Sequence, residues 1–247
     1  MPEMTREEKR RERRAAAEET AREAASGAKP REPHKQKMSV KYDPDNPLRL
    51  VIKDVKANYV YLRGSSKDPA RCNMEIVVDL DAEGGADVAE ALDAAVDHLV
   101  KTGKWKGKNG PKASMLPIKD GEDHNDDTYA GTVYFNAAGR KGVADPENGG
   151  MYFATPVFSK KPDPGTRKPY PIQKNHPEFP ASGDYVNVTL TVWAQDQNSK
   201  QAAEYGERIN ITLEAVQLSA KGIPVGNAPS VDTLASEFEA DVDDADL

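Results

Sequence analysis

The sequence predicts a mainly β fold with one or two helices, and alternating hydrophobic patterns carry this prediction. Two neighbouring runs, 185–194 and 208–218, place apolar side chains at every second position, which is typical of half-buried strands. A longer run, 48–62, alternates in the same way but slips by one residue after Ile52, which indicates a bulge or a sharp bend. Because strongly bent strands are needed to close small barrels, we expect these strands to form one.

Further elements follow the same reasoning. The runs 72–80 and 129–137 also read as strands, and residues 87–101 carry an apolar stripe at helical spacing with Gly103 just beyond its end. Residues 151–180 combine prolines, aromatic residues and cations without a clear period. Insertions of this length in a compact domain are usually functional or mobile.

The charge distribution divides the chain into three parts. We predict a charged N-terminal arm over 1–37, helical or disordered, a single folded domain over 38–225, and an acidic, disordered tail over 226–247. Residues 232–247 hold seven acidic residues and no basic one, so this segment alone equals the net charge of −7 of the whole chain. Such a tail cannot bury a core of its own. It is either simply solvated or serves to compete for a basic groove or to contact partner proteins.

Residues suited to known catalytic or metal chemistry are not arranged in the usual patterns. The four histidines lie far apart, and no cysteine pair has zinc-site spacing. The run 103–109 departs from a phosphate-binding loop in its glycine spacing and in having Asn109 where Ser or Thr is required. The acidic run 122–127 matches no calcium loop, so we expect neither metal nor cofactor. Cys72 alone excludes an internal disulfide and indicates a reducing compartment, and no apolar run reaches membrane-spanning length.

Cations and aromatic residues alternate in several segments, which suits contact with phosphates and flat rings. The segment 101–112 holds five lysines and Trp105 with no acidic residue. It reads equally well as a DNA-contacting loop or as a solubilising loop with Trp105 in the core. The first of the two alternating strands ends in Trp193, and 139–142 forms a compact basic turn.

Taken together, these stretches resemble the single-stranded DNA-binding proteins of phages and prophages. The similarity runs over roughly 45–247, through the bent first strand, the strand–helix unit 71–103, the runs 116–121 and 134–137, the two alternating strands and the acidic tail. It departs at the N-terminal arm and at the insertion 155–183. The resemblance implies an OB-fold-like five-stranded barrel with long loop insertions and charged tails. It further implies a non-catalytic protein of DNA replication and recombination in the cytoplasm of the bacterial host.

The resemblance and the residue patterns give one set of candidate contacts. Bases would stack on Trp105, Tyr134, Tyr152 and Trp193, and phosphates would meet Lys104, Lys106, Lys108, Arg140, Lys141, Arg167 and Lys168. Replication or recombination proteins would bind the tail through Phe238, Asp241, Asp243, Asp244, Asp246 and Leu247. Homo-oligomerisation is open. A β-rich phage structural or adaptor protein with an assembly tail is the alternative, and a metal-dependent nuclease using Asp120, Asp123 and Asp127 is a weaker one.

Overall fold

The computed structural model describes residues 34–43, 45–105, 111–145, 150–195 and 206–225. Within these ranges the chain forms ten strands and one α-helix, so the mainly β prediction is confirmed. The strands are β1 Ser39–Asp43, β2 Asn46–Tyr61, β3 Asn73–Asp79, β4 Lys119–Asp120, β5 Thr132–Ala138, β6 Val143–Ala144, β7 Met151–Tyr152, β8 Val157–Phe158, β9 Tyr185–Ala194 and β10 Ile209–Ala220. The helix is α1, Gly85–Lys101.

Five of these strands pair in a ring. The long strand β2 pairs antiparallel with β3 on one side and with β9 on the other. Strand β9 continues to β10, and β3 continues to β5. The ring closes where β10 runs parallel to β5, with Thr212 opposite Ala138. This closure gives the strand connectivity expected of the five-stranded barrel.

Two irregularities bend β2. The first lies between Ile52 and Val55, where the pairing with β9 shifts and Asp54 adopts a positive φ of 61°. This confirms the predicted slip. The Asp54 carboxylate accepts hydrogen bonds from the His34 side chain, the Lys37 amide and the Ser219 hydroxyl at 2.7–2.9 Å, which secures the bend. The second irregularity contains Tyr59, with a φ of 47°.

The core fills the barrel and extends under the helix. Inward-facing side chains from every strand of the ring are fully buried, among them Leu50, Ile52, Met74, Ile76, Phe135, Leu190 and Leu213. The apolar stripe of α1 packs against this core through Val88, Leu92 and Leu99. The helix therefore covers one end of the barrel as an amphipathic element. Within the ranges described, no helix is long and apolar enough to cross a membrane.

Candidate nucleic-acid interface

The outer face of β3 and β5 is divided into a covered half and an open half. In the covered half, the Tyr129 hydroxyl donates to the Glu75 carboxylate and accepts a hydrogen bond of 2.8 Å from the Asn58 amide. The His124 ring stacks on Tyr129 with centroids 3.7 Å apart, and Tyr134 meets both rings edge-on. Burial and the bond to Glu75 raise the pKa of Tyr129 well above its ordinary value. Residues 119–131 thus close this half to a ligand.

The open half begins at an arginine that lies over an aromatic ring. The guanidinium carbon of Arg71 is 4.0 Å from the centre of the Tyr61 ring, and Arg71 Nε donates to Asn73 Oδ1 at 2.7 Å. Tyr61 and Asn73 are direct partners in the β2–β3 ladder. Ring and amide together hold the guanidinium plane in one orientation. The guanidinium is therefore oriented so that it can bind a phosphate or a base.

The basic turn after β5 lies beside this arginine. Asn73 is opposite Ala138 in the β3–β5 ladder, and the turn 139–142 follows directly. Two backbone bonds of 2.8 Å hold it against the segment before β3, from Gly139 N to Cys72 O and from Gly142 N to Ala70 O. Arg140 and Lys141 are exposed at this position. The fold therefore adds two predicted cations to the same surface.

Two predicted aromatic residues border the surface. Tyr152 is opposite Val143 in the small β6–β7 ladder, and its side chain is 60% exposed. Trp193 lies on the outside of β9 with 39% of its surface exposed, and its Nε1 donates to Thr212 Oγ1 at 2.9 Å. Thr212 is the residue that pairs with Ala138 where the barrel closes. We call the set Tyr61, Arg71, Arg140, Lys141, Tyr152 and Trp193 the Arg71 surface.

Carboxylates pair with cations elsewhere on the barrel but not on this surface. Arg49 is held between Asp43 and Glu214 at 3.0 and 2.8 Å, and Lys221 is 3.0 Å from Asp184. Within the described part of the chain, no ion pair involves the three cations of the Arg71 surface. Uncompensated positive charge of this kind attracts anions such as the phosphates of a nucleic acid.

Other predicted residues lie away from this surface. Trp105 is only 6% exposed and packs on the core just after α1. This placement agrees with the alternative in which the loop is solubilising and Trp105 lies in the core. Tyr134 is 8% exposed within the covered half. As placed, neither ring has a free face for a base, because protein atoms already contact it. Lys104 is exposed next to Trp105.

Arg167 and Lys168 are exposed in a separate turn. That turn is closed by backbone bonds from Arg167 N to Asp163 O and from Asp163 N to Lys168 O. The positions Lys106 and Lys108 lie outside the described residues, as do the tail positions Phe238, Asp241, Asp243, Asp244, Asp246 and Leu247. For all of these residues, DNA or partner contact stays a prediction.

Sequence reasoning missed Tyr61 and Arg71, the two residues at the centre of the surface. The available signal was the pair of arginines, Arg63 and Arg71, that flank the turn between β2 and β3. The composition of that turn is ordinary and by itself predicts only a connection between two strands. Only the β2–β3 register brings Arg71 over a ring ten residues earlier in the chain.

Comparison with known proteins identifies the relatives of this architecture. A family model described as "Enterobacter phage Enc34, ssDNA-binding protein" matches residues 50–247. The chain belongs to this family. The confirmed relationship is the one that the sequence patterns indicated. A search of curated proteins finds no match.

Three solved structures of the family's namesake share the fold. The single-stranded DNA-binding protein from bacteriophage Enc34, solved in complex with ssDNA, is 20% identical with a TM-score of 0.55, over 80% of this chain and 97% of that one. A second structure of the same protein is 19% identical with a TM-score of 0.54, over 81% of this chain and 99% of that one. Its C-terminal truncation is 19% identical with a TM-score of 0.53, over 76% of this chain and 98% of that one. At these identities the likeness establishes the fold alone.

Proposed function

We propose that this chain of the Enc34 single-stranded DNA-binding family is a non-catalytic protein that binds single-stranded DNA during phage replication or recombination. The proposed place of action is the bacterial cytoplasm. The observation that carries the proposal is the Arg71 surface, where cations without carboxylate partners lie among exposed rings on the outside of a five-strand ring. Strands in OB folds present nucleic-acid sites on the corresponding outer face.

The chemistry of the surface suits a single strand better than a duplex. Rings such as Tyr152 stack on unpaired bases whatever their identity, because every base has a flat face. Arg71, Arg140 and Lys141 would neutralise the phosphates that pass between the rings. No cluster of three or more metal-ligating side chains occurs within the described residues. Among the aspartates considered for a nuclease, Asp120 caps a short turn, where its side chain accepts a hydrogen bond from the Glu122 amide.

Titration of fluorescently labelled oligo-dT with the purified protein tests the proposal. Binding at 50 mM salt should be stronger than at 200 mM salt and stronger than for a duplex of the same length, since phosphate contacts release counterions. Equal affinity for duplex and single strand, or no binding at low salt, would contradict it.

An Arg71→Ala variant locates the binding on this surface. Loss of one phosphate contact should lower the slope of log affinity against log salt by about 0.7. Lys53→Ala is the matched control, because Lys53 is an exposed cation on β2 outside the Arg71 surface. If both variants weaken binding equally, only general charge matters and the surface is not the site.

We further propose that the acidic tail has two roles. It would contact replication or recombination proteins through its aromatic and acidic residues, and it would compete with DNA for the cations of the Arg71 surface. The support is the charge distribution, since the tail holds the full net charge while the rest of the chain is neutral overall.

A further inference from the structure

A cleft adjoins the Arg71 surface and has no role in the interface described so far. It has a volume of about 520 Å³ and lies between the β2–β3 turn and the long insertion. Its lining includes Arg63, Gly64, Met151, Phe153, Gln173 and Lys174. Sites for small molecules commonly measure about 300–1,000 Å³, so the cleft is large enough for one nucleotide.

One wall of the cleft is rigid. Gly64 N donates to Arg71 O at 2.9 Å, and Ser65 N donates to Asp68 O at 2.9 Å. Gly64 has a φ of 79°, and a Cβ at this position would lie 2.4 Å from Pro69 O. The turn therefore requires glycine here and presents a fixed backbone to the cleft.

The opposite wall offers an aromatic ring and a cation. The Arg63 guanidinium lies between Phe153 and Phe179, 5.4 and 5.6 Å from the two ring centres. Its Nη1 donates to the carbonyls of Leu62 and Thr155, so the side chain is held in place by neutral groups. No ion pair of Arg63 occurs within the described residues, and the residues that line the cleft include no carboxylate.

Polar groups at the rim are available to a ligand. Across the described part of the chain, the Ser66 hydroxyl, the Gln173 amide and the Lys174 ammonium have no hydrogen-bond partner. An amide both donates and accepts, as the edge of a base does, and an ammonium suits a phosphate. Met151 and Phe153 provide an apolar surface on which a base can lie.

The cleft is continuous with the Arg71 surface. Arg63 follows Tyr61 by two residues, Arg71 closes the turn that forms the rigid wall, and Tyr152 lies between Met151 and Phe153. The residues of the Arg71 surface and those that line the cleft therefore belong to the same turn and the same short strand. A cleft in this position suits one unit of a longer strand.

We propose that this cleft holds one nucleotide of the bound single strand, with its base against Met151 and Phe153, its edge at Gln173 and its phosphate at Lys174 and Arg63. The inference rests on the proposed function. It makes the insertion a part of the DNA-binding site.

The test combines a double variant with photo-crosslinking on the full-length protein. Gln173→Ala with Lys174→Ala changes exposed side chains that have no partner among the described residues. This double variant should weaken oligo-dT binding about five- to tenfold and reduce the salt slope by about 0.7. Lys53→Ala again serves as the control for loss of one charge. Oligo-dT with single 5-iododeoxyuridine substitutions should crosslink to a peptide containing 151–153.

The outcomes separate this inference from the proposed function. If the double variant binds like the control and crosslinks appear only at other peptides, the cleft is not a nucleotide site, although the protein still binds single strands. If the unmodified protein does not bind oligo-dT at all, the proposed function itself fails.

Discussion

Arg71 and Arg49 are both arginines on the outside of the barrel, but their surroundings give them opposite roles. Arg49 is satisfied by two carboxylates, and these bonds raise its pKa. Arg71 has a ring and an amide as neighbours. A carboxylate neutralises a cation, whereas a ring only orients it. The second arrangement leaves the charge available for a phosphate.

Tyr152 and Tyr42 provide a matched pair of exposed tyrosines. Tyr152 lies on the Arg71 surface with 60% exposure, and Tyr42 lies on β1 with 49% exposure. Tyr152→Ala should weaken oligo-dT binding by about 1–3 kcal/mol, the usual contribution of one stacked base. Tyr42→Ala should leave affinity unchanged. Equal effects in fluorescence anisotropy would remove Tyr152 from the interface.

Tyr129 makes the free energy of unfolding depend on pH in the alkaline range. Its pKa is raised by burial, whereas the pKa of the same phenol in the unfolded chain is about 10. The native state therefore retains a proton that the unfolded state loses, so the contribution of this group is complete below about pH 10 and decreases as the pH rises further.

Urea unfolding at pH 8 and pH 10.5 measures this effect. The free energy of unfolding should fall more between these pH values in the unmodified protein than in Tyr129→Phe. The variant should be less stable at pH 8 by about 1–3 kcal/mol, because Glu75 loses its hydrogen-bond donor. Tyr42→Phe, which changes an exposed phenol, should behave as the unmodified protein does. An identical pH dependence in Tyr129→Phe would show that other groups are responsible.

At the scale of elements, the two ends of α1 are defined by glycines with the same conformation but different surroundings. Gly84 and Gly103 have φ values of 80° and 68°. A Cβ on Gly84 would lie 2.2 Å from Met38 O, whereas a Cβ on Gly103 would meet nothing within 4 Å. The start of the helix is packed against the segment before β1, and its end is open.

Alanine substitutions separate the two contributions. Gly103→Ala should cost about 1–2 kcal/mol, because only the left-handed conformation is penalised. Gly84→Ala should cost about 1–3 kcal/mol more, since the backbone of Met38 must also move. Thermal unfolding followed by circular dichroism compares them directly. Equal losses of stability in the two variants would mean that the backbone at Met38 shifts at no cost in free energy.

The insertion and the β2–β3 turn contact each other through Arg63. The turn places Arg63 between Phe153 and Phe179, which belong to the two ends of the insertion. These cation–ring contacts add to the pairing of β8 with β10, which also holds the insertion to the barrel. The insertion is thereby held against the surface that we propose for DNA.

At the scale of the whole molecule, charge is separated along the chain. The tail has a charge of −7 within residues 232–247, and the remainder is neutral overall. A segment of the same chain as a cationic surface reaches it at a higher effective concentration than a separate molecule would. The competition with DNA that we propose for this segment should be strongest when salt is low.

Deletion of 232–247 tests this competition. The truncated protein should bind oligo-dT more tightly than the full chain at 50 mM salt, and the difference should shrink at 300 mM salt, where charges are screened over shorter distances. Replacement of the seven acidic residues by Asn and Gln is the control for chain length. Unchanged affinity at low salt in both proteins would exclude competition by the tail.

Several features of this protein were predictable from the sequence because they depend on local periodicity. The strands β3, β9 and β10, the helix α1 and the bend after Ile52 each leave a pattern within a few neighbouring residues. The family could also be recognised, since order and spacing of these elements are properties of the chain itself. Of the candidate contacts, Arg140, Lys141, Tyr152 and Trp193 were named from composition, and the fold groups them on one surface.

Only the tertiary structure decided which rings and cations are available. Trp105 and Tyr134 look like Tyr152 and Trp193 in sequence, but Trp105 packs on the core and Tyr134 packs against Val77 and Tyr129. Arg71 acquires its orientation from Tyr61 across a ladder, and Arg49 loses its free charge to Glu214, 165 residues away. Exposure and ion pairing depend on contacts between remote residues, which short-range patterns do not encode. The sequence by itself therefore determined the family and the strand–helix order, and long-range packing determined which rings and cations share the surface that we propose for DNA.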